Sequence, residues 1–315
     1  PKHGQSPPPL RISLKQLWVA GASGNVGSAA VHTLAQMAGA QVKALTRSSA
    51  GDKVASLKVL ENVDIVECDI ADRTSLSGVF DGVTAALLTC GNHQGQVATE
   101  KSFIDAAVAA GCPFLVKLGA VRCYTAKDSK SEYARFHAEI EEHLEKTAGA
   151  MKWTVLCPNW FMSNHLGDIF GSLPLGVIAY PLDPKAKAGV VDPRDVGDLA
   201  ANLMMAPDPS AHHGLKLDVS GPENISVTEI AALYSDALSR PIAAVKPSVE
   251  EWITAGVGGG LEEWLARAAS VNFIYWEAGD LAFPTSPQAL AAAPPKRTMA
   301  AWIKEWSPRS PPPAV

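Results

Sequence analysis

Paired cysteines and long apolar runs are the first things that this sequence lacks. Its five cysteines are odd in number and far apart, with no Cys-x-x-Cys pair, so we interpret them as reduced thiols. No apolar run approaches the roughly 18 residues that a membrane span requires. Because the start of the chain is polar and proline-rich rather than a signal peptide, we expect a cytoplasmic protein without membrane association.

Positive charge is also sparse. The chain has 27 lysines and arginines against 32 acids, for a net charge of -5. No basic cluster longer than two residues interrupts this pattern, which disfavours binding to a phosphate backbone, so we expect no nucleic-acid partner. His212 and His213 are adjacent but have no further histidine or cysteine at ligand spacing, so no metal site is expected.

What the sequence does contain is a regular alternation of strands and helices. The apolar pattern predicts strands at 16–20, 41–46, 63–67, 85–89, 114–118 and 153–157, and helices at 26–37, 75–80, 96–110 and 132–146. This alternation is typical of parallel β-α-β units and predicts an α/β fold with a Rossmann-type doubly wound sheet. Ligands of such sheets bind at the carboxyl ends of the strands.

The chain after Pro158 follows a different pattern. Aromatic and proline-rich loop sequence runs to about Ala188, and later segments predict helices at 196–205 and 227–238 and a strand at 215–219. We therefore divide the chain into a disordered tail (1–12), a Rossmann domain (13–158), a smaller, mostly helical region (159–306) interleaved with the last Rossmann elements (about 190–220), and a disordered tail (307–315).

The turn after the first strand carries the clearest functional signal. Three glycines, spaced G-x-x-G-x-x-G, follow a predicted strand and open a predicted helix. Glycines there permit a tight turn and let a pyrophosphate approach the helix amides, although a plain strand-to-helix turn also favours glycine. The predicted dinucleotide contacts in this turn are Gly21, Ser23, Gly24, Asn25, Val26 and Gly27.

The end of the second strand predicts which dinucleotide is bound. Sites that prefer NAD usually place an acid there, whereas this chain has Arg47 followed by Ser48. A guanidinium forks onto a phosphate, so we predict NADP(H) with its 2'-phosphate at these residues; the alternative is a solvated surface arginine. Asp69 and Ile70 are predicted to flank the adenine. Further cofactor contacts are predicted at Thr89, Gly91, Lys117, Pro158 and Asn159.

The sequence resembles the NmrA-like branch of the atypical short-chain dehydrogenase/reductase superfamily over nearly its whole length. The likeness lies in the glycine-rich turn and in the blocks CDIAD (68–72), LCPNWFMSN (156–164), VDPRDVGD (191–198), SGPENIS (220–226) and RTMAAW (297–302). That family includes NADPH-dependent reductases of quinones, dyes and other aromatic compounds, and also redox-sensing regulators that bind dinucleotide without turnover. The resemblance therefore implies fold and cofactor and leaves catalysis open.

The predicted catalytic groups depart from the standard short-chain pattern. A serine is expected after the fifth strand, where this chain has Leu118. The next helix carries Tyr133 and His137, and His137 with Glu141 resembles a pattern of NmrA-like reductases. We predict His137 as the proton donor, oriented by Glu141, with Tyr133 as a second donor. The alternative is an exposed helix on which Tyr133 packs and His137 is solvated.

Aromatic residues predict the substrate site. Trp160 and Phe161 follow the sixth strand and are suited to stacking on a flat molecule, with Trp276 closing the other side, although core packing explains them equally well. His165 is assigned to the same site. The sequence thus predicts an NADPH-dependent reductase of a flat apolar carbonyl, quinone or enone, of the kind found among polyketide-type and other aromatic secondary metabolites, acting as a monomer or homodimer. A non-catalytic NADP(H)-sensing regulator, and an isomerase or lyase, are the alternatives.

Overall fold

The structure is a computed structural model that describes residues 14–307. The two predicted tails lie outside this range, apart from Ser307, which is buried. The strands of the described residues are β1 (Lys15–Ala20), β2 (Ala40–Thr46), β3 (Val63–Glu67), β4 (Ala85–Leu88), β5 (Phe114–Leu118), β6 (Lys152–Pro158), β7 (Trp160–Phe161), β8 (Val177–Ala179), β9 (Lys187–Val191), β10 (Leu215–Val219), β11 (Asn224–Ser226) and β12 (Ala243–Val245).

The helices complete the element order. They are α1 (Asn25–Ala35), α2 (Asp52–Lys58), α3 (Gln96–Ala109), α4 (Glu132–Thr147), α5 (His165–Phe170), α6 (Pro193–Met205), α7 (Val227–Leu238), α8 (Val249–Gly258), α9 (Glu263–Ala278), α10 (Pro287–Ala292) and α11 (Met299–Trp306). None of the helices within 14–307 is long and apolar enough to cross a membrane.

Seven strands form one parallel sheet in the order β10-β6-β5-β4-β1-β2-β3. Side chains of a strand alternate between its faces, and in β1 Leu17 and Val19 join the core under α1 and α6, whereas Trp18 and Ala20 join the core under α3 and α4. Both faces are therefore covered, which is why the central strand β4 is apolar and buried throughout. The predicted doubly wound Rossmann-type fold is confirmed.

Helices α1 and α6 are in direct contact because of one glycine. A Cβ placed on Gly197 of α6 would lie 2.6 Å from Cβ of Ala29 and 2.8 Å from the backbone nitrogen of Ala30. A larger residue in place of Gly197 would have to separate the helices. The position of the amino end of α1, and hence of the turn before it, depends on this contact.

The second region has its own aromatic core and more strands than the sequence suggested. The segment read as loop from 159 to 188 contains β7, α5, β8 and the start of β9. Strands β11, β9 and β7 form a three-stranded sheet, and β12 pairs with β8. Trp160, Tyr180, Phe273 and Trp276 are buried together at its centre. The region is mostly helical, as predicted, but it also contains short paired strands.

One predicted helix is wrong. Residues 75–80 form consecutive turns rather than a helix. Gly78 adopts φ +70°, a left-handed conformation that ends a helix, and the carboxylate of Asp72 accepts a hydrogen bond from the backbone nitrogen of Thr74 at 2.8 Å. Local side-chain to backbone bonding of this kind competes with helix formation.

Candidate functional site

The glycine-rich turn lies at the carboxyl edge of the sheet, where it follows β1 between β4 and β2. Gly21 has φ +69°, and a side chain there would collide with Thr89, whose hydroxyl donates to the carbonyl of Ala20 at 2.7 Å. Helix α1 then begins with Gly24 as its N-cap, without a side-chain cap and without an acid in its first turn. The first amides of α1 are thus available to an anion such as a pyrophosphate.

A cavity of about 300 Å³ lies beside this turn, at the end of β2. Its lining includes Ser23 of the turn, Arg47 and Ser48 after β2, and Asp52 and Lys53 at the start of α2. Arg47 and Lys53 are exposed. The lining therefore carries two cations, one carboxylate and three hydroxyls, the third being that of Thr46, next to the turn. Sequence reasoning missed Lys53. The sequence feature that could have indicated it is a second basic residue close after Arg47, in the first turn of the short helix α2.

The neighbouring strand β3 contributes an acid to the same loop. The Oε1 atom of Glu67 accepts a hydrogen bond from the backbone nitrogen of Ser49 at 2.8 Å. Hydrogen bonding from the side chain of Ser49, and after it from the backbone, holds the pKa of Glu67 below its usual range. Asp69 lies in the following loop, is exposed, and accepts from the backbone nitrogen of Ala71 at 3.0 Å. Ile70, predicted beside the adenine, is half-buried against the core under α3 and α4.

Lys117 does not project into the crevice. It is fully buried, donates to the carbonyl of Leu118 at 2.9 Å, and forms an ion pair of 3.1 Å with Glu100 of α3. Its Nζ atom also lies 3.0 Å from Nδ1 of His137. Gln96 completes a closed ring, 2.7 Å from Glu100 and 3.3 Å from Nε2 of His137. These four side chains contact one another beneath the crevice, and Oε1 of Gln96 keeps no hydrogen-bond partner among the described residues.

His137 is therefore neither solvated nor oriented by Glu141. Nδ1 faces Nζ of Lys117 and Nε2 faces the amide of Gln96, and burial, followed by the charge of Lys117, holds the pKa of His137 well below the ordinary value. Glu141 is instead paired with Lys216 of β10 at 2.8 Å. The predicted contact between His137 and Glu141 is not present, because the two side chains reach different neighbours across the sheet.

Tyr133 is engaged in a second buried cluster. Its hydroxyl accepts a hydrogen bond from Nδ2 of Asn272 at 2.6 Å and lies 3.3 Å from the hydroxyl of Tyr124. Tyr124 in turn donates to Oδ1 of Asn272 at 2.5 Å. Since Asn272 belongs to α9, this triangle joins the Rossmann part to the second region. Neither predicted proton donor faces open space here.

The loop after β6 is also committed to protein contacts. The side chain of Asn159 donates to the carbonyl of Leu281 at 2.8 Å and accepts from the backbone nitrogen of Trp160 at the same distance. Trp160 is 9% exposed, and Trp276, which donates to the carbonyl of Ala186 at 3.0 Å, is fully buried. These predicted contact residues lie in the core of the second region.

The remaining predicted residues differ in their exposure. Gly91, after β4, is exposed, and a Cβ added there would meet nothing within 4 Å. Phe161 is half-buried and packs on the core under α1 and α6, and Pro158 ends β6 in register with Val219. His165 is fully buried at the start of α5.

A larger cleft of about 760 Å³ adjoins the glycine-rich turn. It begins at Gly24 and Asn25 and runs between α1 and the second region, where Ser163, Leu166 and Trp302 form part of its wall. This cleft connects the amino end of α1 with the region predicted to hold the substrate, and no sequence pattern indicated it.

Comparisons with known proteins place the chain among dinucleotide-dependent proteins. An NAD(P)H azoreductase from Xenophilus azovorans is 28% identical over 257 residues, which are 82% of this chain and 85% of that protein. The structure of an NADPH-dependent quinone oxidoreductase from Escherichia coli, complexed with NADPH, matches with a TM-score of 0.78 at 22% identity, covering 92% of this chain and 99% of that one.

A regulatory protein has the same fold. The structure of NmrA, a negative transcriptional regulator in complex with NADP, matches with a TM-score of 0.74 at 17% identity, covering 94% of this chain and 96% of that one. The family model of the NmrA-like family matches residues 13–271. This match spans most of the sequence and confirms the resemblance, so the chain belongs to the NmrA-like family.

Proposed function

We propose that this chain is an NADPH-dependent reductase that transfers hydride to a flat, apolar carbonyl, quinone or enone. The observation that carries the proposal is the position of the Arg47 cavity directly beside the uncapped start of α1. That pairing suits a dinucleotide with a 2'-phosphate. NADP(H), the cofactor predicted from the sequence, is bound in the structures of the quinone oxidoreductase and of the regulator, and the regulator is also solved with NAD.

The residues that would hold the cofactor have distinct tasks. The backbone amides at the start of α1 would bind the pyrophosphate, and Arg47 would fork onto the 2'-phosphate with Lys53 as a second cation. The hydroxyls of Ser23 and Ser48 line the same cavity and can donate to it. When bound, NADPH supplies the hydride, so the protein contributes mainly position.

The proton donor remains a separate proposal. His137 and Tyr133 are the candidates from the sequence, and each is hydrogen-bonded inside the protein. His137 would have to leave its buried partners in order to donate. The hydroxyl of Tyr133 accepts from Asn272 and would have to redirect only the proton that faces Tyr124 at 3.3 Å. A reductase whose product takes its proton from water would need neither.

This commitment of both residues favours a second candidate function. A sensor that binds NADP(H) without turnover needs the dinucleotide site and no free proton donor, and the regulator NmrA has the same fold. Such a sensor would bind the oxidised and reduced cofactors with different affinities, and the bound form would determine whether a protein partner is recruited.

The deciding experiment measures turnover and binding on the same preparation. NADPH oxidation would be followed by its absorbance against a panel of quinones, aromatic ketones and enones, while calorimetry measures the affinities for NADPH and NADP⁺. We expect oxidation of NADPH with at least one flat acceptor. Tight binding of both cofactor forms with no oxidation by any acceptor would replace the reductase with the sensor.

A further inference from the structure

The loop between β2 and α2 carries the groups proposed to bind the 2'-phosphate, and one of its residues faces away from them. The cavity of about 300 Å³ is lined by every residue of the run 46–54 except Ser49. The residues on either side of Ser49 are exposed, whereas Ser49 is half-buried. Ser49 is therefore turned away from the cavity, towards the neighbouring strand β3.

Glu67, the last residue of β3, is the partner of Ser49. The carboxylate accepts from the backbone nitrogen of Ser49 at 2.8 Å, and bonding from the side chain and backbone of Ser49 lowers the pKa of Glu67. The strand pairing places Glu67 opposite Thr46, and the backbone nitrogen of Cys68 donates to the carbonyl of Thr46 at 2.8 Å. Glu67 thus holds the loop from a strand whose register is fixed.

The other hydrogen bonds of this loop are local. Thr46 donates to the carbonyl of Ser48 at 3.0 Å, and the backbone nitrogen of Ala50 donates to the hydroxyl of Ser48 at 3.1 Å. Gly51 follows with φ +100°, and a Cβ added there would meet nothing within 4 Å. In the part of the chain that the structure describes, Glu67 is therefore the one residue of another strand that anchors the loop by hydrogen bonding.

An anchored loop favours the binding of a phosphate by Arg47. Ordering a loop and a long side chain during binding costs free energy, and a loop that is ordered beforehand removes part of that cost. Arg47 is exposed, so the direction in which its guanidinium points depends on the backbone that carries it. The fork of a guanidinium also requires a defined direction in order to bond two phosphate oxygens at once.

We propose that Glu67 is a positioning residue for cofactor selection, which favours NADPH over NADH by holding Ser49 and with it the loop that presents Arg47 to the 2'-phosphate. Glu67 acts through the backbone of the loop and does not touch the cofactor. NADH has no 2'-phosphate, so its binding does not depend on the direction of Arg47. This inference rests on the proposed function for the identity of the cofactor, and it names the residue outside the cavity that sets the preference.

The test measures the affinities of the full chain for NADPH and for NADH by calorimetry. Glu67→Ala removes the acceptor, so NADPH should bind about tenfold more weakly, as for one lost hydrogen bond to a charged group, while NADH binds as before. Glu67→Gln keeps an oxygen that accepts from the same N–H and should keep most of the preference. Asp64→Ala is the matched control, since Asp64 is also an exposed acid of β3 and accepts from Gln41 at 3.1 Å, near the other end of the strand.

Hydrogen exchange of the Ser49 amide reports the bond itself, without cofactor. Exchange should be faster in Glu67→Ala than in the unaltered protein and slow again in Glu67→Gln. An exchange rate that does not respond to Glu67→Ala would overturn the inference.

The binding data can overturn the inference in several ways. Equal weakening of NADPH and NADH by Glu67→Ala would show a general structural role, and an equal loss of preference in Glu67→Gln or Asp64→Ala would show that the acceptor is not the cause. A preference that Arg47→Ala removes and Glu67→Ala keeps would overturn this inference alone. No preference for NADPH in the unaltered protein would overturn it together with the cofactor assignment. Because no turnover is measured, the failure of the reductase proposal would leave these results readable.

Discussion

Nζ of Lys117 lies 3.0 Å from Nδ1 of His137, and both side chains are buried. An ammonium only donates, so Nδ1 must be the unprotonated nitrogen of a neutral ring. A second proton on His137 would place two positive charges side by side away from water. The structure therefore keeps His137 neutral, which has measurable consequences for stability.

The first prediction concerns stability below neutral pH. The pKa of His137 is held well below its ordinary 6.5, chiefly by burial and then by Lys117, so the unfolded chain binds a proton there that the folded chain does not. The stabilisation is complete above about pH 6.5 and falls as the pH drops towards the folded pKa. One such proton changes the free energy of unfolding by at most about 1.4 kcal/mol per pH unit. Denaturant titrations at several pH values between these limits should show that the free energy of unfolding changes less with pH in His137→Gln than in the unaltered protein. The same dependence on pH in both proteins would contradict the assignment.

The second prediction concerns the buried ion pair. Lys117→Met leaves the carboxylate of Glu100 buried without its charge partner and should lower the free energy of unfolding by about 3–5 kcal/mol. The control is Lys101→Met, which breaks a pair of 2.7 Å with Glu139, whose side chain is 52% exposed. That change should cost no more than about 1 kcal/mol. Similar losses of unfolding free energy for both variants in urea titrations would show that burial of an ion pair does not determine how much its removal destabilises the protein.

The third prediction concerns cofactor choice. Arg47→Ala removes the guanidinium proposed to bind the 2'-phosphate and should weaken NADPH binding by about 10- to 100-fold, as expected for a lost charged hydrogen bond. NADH, which has no 2'-phosphate, should bind as before. Arg73→Ala, which removes a guanidinium on the surface near Asp105, should change neither affinity. Calorimetry decides, and an equal effect of Arg47→Ala on both cofactors would argue against the assignment.

The fourth prediction concerns the contact between α1 and α6. Gly197→Ala forces a methyl group against Ala29 and should lower the free energy of unfolding by about 1–3 kcal/mol. It should also weaken NADPH binding, because α1 carries the amides beside the turn. Gly167→Ala is the matched control, since it lies in α5 with nothing within 4 Å of an added Cβ. It should be neutral or raise stability by up to about 1 kcal/mol. Equal thermal shifts for the two alanines would refute the close-packing explanation.

The fifth prediction separates two roles of Tyr133. Tyr133→Phe leaves Nδ2 of Asn272 without its partner across the two regions, which should lower stability by about 1–3 kcal/mol. With an acceptor that supports turnover, kcat should stay within about threefold of that of the unaltered protein, because the hydroxyl of Tyr133 is engaged inside the protein. The loss of a general acid would instead lower kcat by about a hundredfold or more. A loss of that size in kcat with unchanged stability would make Tyr133 the proton donor instead.

Periodicity in the sequence was sufficient to predict the sheet and the first turn. Strands such as Val63–Glu67 and Phe114–Leu118 begin and end where the apolar pattern does. The pattern failed at 75–80, where the backbone conformation of Gly78 outweighs a weak helical spacing. It also missed the strands of the second region, which are two to five residues long and depend on partners remote in sequence.

The partners of side chains were the least predictable part of the candidate site. Spacing places His137 and Glu141 on one face of α4, but it does not say which neighbours each will meet. His137 meets Lys117, 20 residues earlier, and Tyr133 meets Asn272, 139 residues later. Such distances depend on how the helices pack on the sheet. The cavity residue Lys53 was missed because the sequence does not show that the start of α2 faces the same cavity as Arg47.

Because β10 is made after much of the second region, the sheet can be completed only late in synthesis. This strand follows the first part of the second region in the chain, yet it pairs with β6 from Leu215↔Thr154 to Val219↔Pro158. While the ribosome is still adding residues 159 to 214, β6 is an exposed edge with unpaired backbone groups, open to pairing with another nascent chain. A fragment ending at Pro158 would keep that edge permanently, so it should aggregate rather than serve as an isolated dinucleotide-binding domain.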